Sequence, residues 1–160
     1  MWQELLEILV RLGKDYEVLD GLGRQKHTAL VGVDMKTLEK LLKREEDLAK
    51  SISRSEKQRQ ELLIKMAKST PGLGPEMSAG EVYKLAPPQF ALRLQRAHDL
   101  LSKLVKQVKD QAEVNNILAQ GALGAVNVRL GQLGGATVEP VYGSNGGERV
   151  THRRNFEYDA

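Results

Sequence analysis

Residues 88–133, PQFALRLQRAHDLLSKLVKQVKDQAEVNNILAQGALGAVNVRLGQL, decide the fold. Phe90, Leu94, Ala97, Leu101, Leu104 and Val108 recur at steps of four and three, and the seam continues through Gln111 and Asn115 to Leu118 and Ala122. Residues at that spacing share one face of an α-helix, so a single long helix is predicted over about 88–133. Pro88 suits its first turn, where the missing N–H removes no helical bond.

Upstream, residues 69–80, STPGLGPEMSAG, hold two prolines and three glycines and read as a loop. Residues 81–86 are predicted to form a short helical turn before Pro87-Pro88, so the whole connection covers 69–87. A second long helix is predicted over about 35–68, with its seam at Met35, Leu38, Leu42, Ala49, Ile52, Leu63 and Met66 and with polar Glu45, Glu56 and Arg59 in the intervening places. Glu39 with Lys43, Glu46 with Lys50, and Glu61 with Lys65 stand four apart in the order that favours a helix. Before it, Trp2, Leu5, Leu9, Leu12, Tyr16 and Leu19 mark a first helix over about 2–30, which Gly21 and Gly23 weaken locally. The turn at Gly32-Val33-Asp34 is short and Asp34 is placed to cap the next helix, so the first two helices are predicted to be antiparallel neighbours. The predicted fold is therefore all-α, an antiparallel bundle of three long helices packed in coiled-coil fashion over residues 1–133.

From Gly134 onward helical periodicity is lost, and 134–160 is predicted to be a flexible, glycine-rich, irregular tail. Val138–Tyr142 and Arg149–Thr151 could pair as strands around Ser144–Gly147, but an isolated hairpin is marginal in water.

Composition excludes several function classes. The chain has no cysteine, which removes disulfides and thiolate metal sites, and His27, His98 and His152 lie far apart in sequence. No metal and no cofactor are expected. Net charge is +3 from 24 basic and 21 acidic residues, well mixed along the chain, which argues against nucleic acid as a partner. Glu4 and Glu7 interrupt the first apolar run, and the least charged window, 114–128, holds Asn115, Asn116, Gln120 and Asn127. Neither a signal peptide nor a membrane-inserted helix is expected, and a cytoplasmic location is. Gly72-Leu73-Gly74-Pro75 lacks the lysine and hydroxyl residue of a phosphate loop, no serine sits in a nucleophile elbow, and His98 beside Asp99 reads as a surface residue. No enzyme activity is expected.

Two features stand out. Residues 114–133 contain a single charge, Arg129, and the third helix is longer than the other two, so some of its apolar surface is expected to lack a partner within the chain. That surface would form a groove for an amphipathic helix; the competing expectation is that the helix ends near Gly121 or Gly124. The other feature is Tyr142 in Val141-Tyr142-Gly143-Ser144-Asn145-Gly146, either an ordinary anchor for the tail or a partner contact. Asn115 in the seam could likewise set helix register or touch a partner.

Taken in order, the Leu38-Glu39-Lys40-Leu41-Leu42-Lys43 run with Ile52–Arg59 and Leu62-Leu63, then Asn115-Asn116-Ile117-Leu118, then the Tyr142-Gly143 turn, resemble the FlgN-type flagellar export chaperones from about Leu5 to Gly146. The proline- and glycine-rich loop at 69–80 and the basic stretch Thr151-His152-Arg153-Arg154 depart from that pattern. The resemblance implies a cytoplasmic chaperone for hook-associated, hook–filament junction proteins. Such a chaperone binds their C-terminal amphipathic helices, prevents premature assembly and brings them to the type III export gate. Val114, Ile117, Leu118, Leu123 and Val126 would then line the client groove, and Tyr142 would contact the export gate. The alternative is a general coiled-coil adaptor or homo-oligomeric structural protein, a homodimer for example, that directs the 114–133 surface to a second copy.

Overall fold

The computed structural model describes residues 1–74, 76–134, 136–140 and 148–152. Four helices follow in chain order, α1 (Trp2–Val31), α2 (Met35–Ser69), α3 (Ala79–Lys84) and α4 (Pro88–Leu133), and then strands β1 (Ala136–Pro140) and β2 (Glu148–His152). The fold is an all-α bundle of long helices packed against one another, as the seams predict. The long helices begin where the sequence places them and end within a residue of the expected positions. Neither Gly21 nor Gly23 interrupts α1, and α4 continues through Gly121 and Gly124 to Leu133.

The chain divides into two compact units. The first holds Met1–Gly21 and Asp47–Lys109. Its core centres on Leu5, Leu9 and Leu12 of α1, Met66 of α2 and Leu94 of α4, all fully buried. Removing a side chain of this size from water is worth about 1.5–3 kcal/mol, which makes this layer the main source of cohesion in the unit. Arg11 donates to Ser55, and Ser51 donates to Asp15. Numbers rise on α1 as they fall on α2, so the two helices are antiparallel. The buried seam of α2 differs from the one predicted: Leu41, Ser55 and Leu62 are buried and Leu48 half-buried, while Met35 and Ala49 face solvent. Ser55 is the one of these that apolar spacing could not have found. A serine gives no apolar signal, yet here it is buried because Arg11 satisfies its hydroxyl oxygen at 3.1 Å.

The helical turn expected at 81–86 is α3, begun two residues earlier by a capping box. Ser78 accepts from the Glu81 amide, and the Glu81 carboxylate accepts from the Ser78 amide at 2.8 Å. Tyr83 of α3 is buried, its hydroxyl 3.2 Å from His98 Nδ1 and its ring edge-on to the imidazole. Burial raises the Tyr83 hydroxyl above the ordinary tyrosine value, with Asp99 adding to the rise against the opposing effect of Arg59. His98 is thus a fastening for α3. Leu73 of the connecting loop is also buried, and Gly72 just before it takes φ +85°.

The second unit holds Leu22–Glu46 and the chain from Asp110 onward. Leu22 and Ala29 of α1 and Leu38 and Leu41 of α2 are buried, and Lys26 pairs with Glu45 at 3.0 Å, so the charge that interrupts the α2 seam has a cation opposite it. The α1–α2 turn closes with Asp34 N donating to Ala29 O and Val33 N donating to Leu30 O, the two bonds of a Schellman motif. The left-handed position, φ +52°, falls on Val33 and not on the adjacent Gly32. Asp34 caps α2 as predicted, accepting from the Thr37 amide at 3.1 Å and from its hydroxyl at 2.6 Å.

The sequence predicts an irregular tail after Gly134; instead β1 and β2 pair antiparallel, with Ala136 opposite His152 and Pro140 opposite Glu148. β-Branched residues at Thr137, Val138, Val150 and Thr151 favour that ladder. Tyr142 and the Ser144–Gly147 turn lie outside the described residues.

A β-branched residue held left-handed stores strain that glycine would release. Val33→Gly is expected to stabilise the chain by about 0.5–1 kcal/mol in denaturant unfolding, since the αL penalty exceeds the entropy that glycine adds to the unfolded chain. The Thr37 hydroxyl and amide hold the Asp34 carboxyl below the ordinary aspartate range. Its stabilisation is present above the unfolded-state pKa and is lost as pH falls through the lowered folded value. Asp34→Ala therefore lowers the denaturation midpoint at neutral pH, and the deficit shrinks in acid.

Candidate partner-binding surface

Asn115 determines where α4 stands in the second unit. It is buried to 2% exposure, and its Nδ2 donates to the Gly23 carbonyl at 2.8 Å while Oδ1 accepts from Gln111 Nε2 at 3.3 Å. Gly23 is what permits the approach, because a Cβ there would stand 3.1 Å from Gln111 Cγ. The seam asparagine is an intrachain register pin. Asn116 beside it has a buried Oδ1 with no hydrogen-bond partner among the described residues.

The chain after Lys109 groups with the end of α1 and the start of α2, so α4 runs in the direction of α1. Beyond Gly23, α1 continues for about 12 Å; beyond Asn115, α4 continues for about 27 Å at 1.5 Å per residue. The final ten or so residues of α4 therefore pass the α1–α2 turn, and side-chain exposure shows it. Asn115, Ala122, Val126 and Leu133 lie on one helical face, yet exposure rises from 2% at Asn115 to 44% at Val126 and 73% at Leu133. The face that is core at Asn115 has lost its cover two to three turns later.

On the outer face Val114, Ile117, Gly121, Gly124 and Val128 follow at steps of three and four, and all are exposed. Ile117 and Val128 expose 64% and 65% of their surface. A Cβ added at Gly121 or Gly124 would meet nothing within 4 Å. The stripe is thus apolar at both ends and open along its floor. Of the residues predicted from the sequence, Val114 and Ile117 lie together on this stripe. Leu118 and Leu123 are half-buried on the flanks of the inner face, and Val126 is uncovered on that inner face. Val128 and Leu133 escaped the sequence analysis, although stepping by three and four from Val114 reaches Val128. Among the described residues no cluster of three or more His, Asp or Glu side chains could hold a metal ion, and no helix is long and apolar enough to cross a membrane.

An apolar helix face without an intrachain partner is a surface of the kind that another helix can cover. The model of the FlgN protein family matches residues 1–149, and the chain belongs to that family. Its members are flagellar export chaperones, and the family is not an enzymatic one. No curated protein and no solved structure matches the chain.

The two faces of α4 should respond oppositely to substitution. Asn115→Ala removes a buried donor to Gly23 and is expected to destabilise the fold by about 1–3 kcal/mol. Gly124→Ala, on the open face, is expected to stabilise it by about 0.5–1 kcal/mol through helix propensity. Chemical denaturation of the two variants measures both.

Proposed function

We propose that this chain is a cytoplasmic chaperone for hook-associated proteins of the hook–filament junction, binding their C-terminal amphipathic helices on the exposed late half of α4. Family membership supports the chaperone role. The observation that points to this surface is the exposed outer stripe of Val114, Ile117 and Val128, with Val126 uncovered on the inner face beyond the α1–α2 turn. Leu118 and Leu123 border the surface and support it from the half-buried side.

Recognition would be helix-in-groove. A client segment without stable structure folds as its apolar face is buried, at roughly 25 cal/mol per Å² less the cost of ordering the segment. While bound, the client's assembly surface is covered, which prevents premature polymerisation. Delivery to the export gate is assigned to Tyr142 and its glycine-rich surroundings, a role that comes from the family pattern. No nucleotide or cofactor enters this scheme.

Ile117 is the informative position, because it is exposed and its replacement leaves the core intact. Ile117→Asp is expected to weaken binding of a hook-associated C-terminal helix by at least about tenfold, some 1.4 kcal/mol, in calorimetry. Its circular dichroism and denaturation midpoint should be unchanged. Ile64→Asp, at a comparably exposed isoleucine in the first unit, should bind normally. Undiminished affinity in Ile117→Asp would move the client site elsewhere. A concentration-dependent dimer abolished by Ile117→Asp, with no client binding in the native chain, would favour the adaptor instead.

A further inference from the structure

The apolar stripe on the outer face of α4 ends in charges of opposite sign. In the second unit α4 carries three charged side chains, Asp110, Glu113 and Arg129, and all three are exposed. Asp110 stands four residues before Val114, so it continues the stripe by one turn. Glu113 lies on one flank beside Val114, and Arg129 lies on the opposite flank beside Val128. None of the three forms a hydrogen bond or ion pair among the described residues. Lys106 and Lys109 precede the two acids by four residues, the weaker order for a helical pair, and no ion pair joins them among the described residues. The surface thus has an acidic end, an uncharged apolar middle and a basic end. At 1.5 Å per residue the acids and Arg129 are about 24–29 Å apart along the helix.

A second helix lying on this surface meets charge at both of its ends. Acidic side chains favour the first turn of any helix and basic ones the last, because they complement the macrodipole. A partner charged in that way sets its first turn against Arg129 and its last against Asp110 and Glu113 only when it runs antiparallel to α4. The helix termini favour the same direction. The last turn of α4 has no basic residue of its own, so its free carbonyls are complemented by the N-terminal end of a neighbour. In the parallel direction the partner's acids would face Asp110 and Glu113 and its bases would face Arg129, with repulsion at both ends.

We propose that the outer face of α4 takes an amphipathic helix of about five turns in one direction only, antiparallel to α4. The acidic first turn of that helix lies against Arg129 and its basic last turn against Asp110 and Glu113. The bearing on function rests on assigning this face to the client, and what is added is the direction and charge pattern of the client helix. Apolar burial supplies most of the affinity, and the charges choose between two directions that an apolar stripe alone does not distinguish.

Two synthetic peptides of about twenty residues test the direction on the full-length protein. Both have leucines at steps of three and four. One has glutamates in the first turn and lysines in the last, and the other has these exchanged. A nitroxide on the N-terminus of the first peptide should broaden the Val128 methyl signals severalfold more than those of Val114. Asp110→Lys, Glu113→Lys and Arg129→Glu introduced together should weaken the first peptide about tenfold and strengthen the second, each exposed pair being weak alone. The three side chains are exposed, so circular dichroism of the triple variant should match that of the native chain. Greater broadening at Val114, or equal broadening at the two ends, would overturn the proposal. So would an affinity unchanged by the charge exchange, or no binding of the first peptide to the native chain. The client assignment is read separately: a hook-associated helix that binds the native chain and fails on Ile117→Asp keeps that assignment, whatever the peptides show.

Discussion

The buried amide of Asn115, hydrogen-bonded to the Gly23 carbonyl and flanked by Gln111, fixes the register of α4 against α1 in the second unit. An asparagine there tolerates few alternatives, because its donor would be stranded in apolar surroundings after a slip of even one turn. Gly23 completes the restraint by letting the helices approach where any Cβ would press on Gln111. Once this register is set, the extent of uncovered α4 follows from helix lengths alone. α1 ends at Val31, and α4 goes on to Leu133.

That geometry explains how one helix serves both core and surface. Through the first unit α4 presents Leu94 and Leu101 to a layered aliphatic core, as its seam requires. After Asn115 the same periodicity continues, but its partners stop. Apolar side chains that would be core a few turns earlier become exposed, and the charge density that keeps α2 soluble is absent from residues 114–133 apart from Arg129. A surface of this kind is usually covered by something. The occupant proposed above is a client helix.

The α1–α2 turn places its left-handed residue where local composition would not suggest. Glycine takes that conformation most readily, and Gly32 stands in the turn. The Schellman hydrogen bonds to Ala29 and Leu30 instead put Val33 there, held because α1 and α2 must reverse within a few residues and Asp34 must reach the Thr37 amide. Helix packing on either side of the turn outweighs a strain of about 1–2 kcal/mol.

Periodicity alone determined the helices, their lengths and the α4 seam, because steps of three and four admit a single helical face over so many residues. It also marked residues 114–133 as short of charge. It put Met35 and Ala49 in the α2 seam, and it missed Ser55, which becomes core only through Arg11, a residue of another helix. It predicted an irregular tail where β1 and β2 pair, because a five-residue pairing is too short for composition to resolve. Whether Asn115 was register pin or partner contact, and which flank of α4 was free, required the tertiary structure. Both depend on where α1 ends relative to α4, a distance between helices that no single segment encodes.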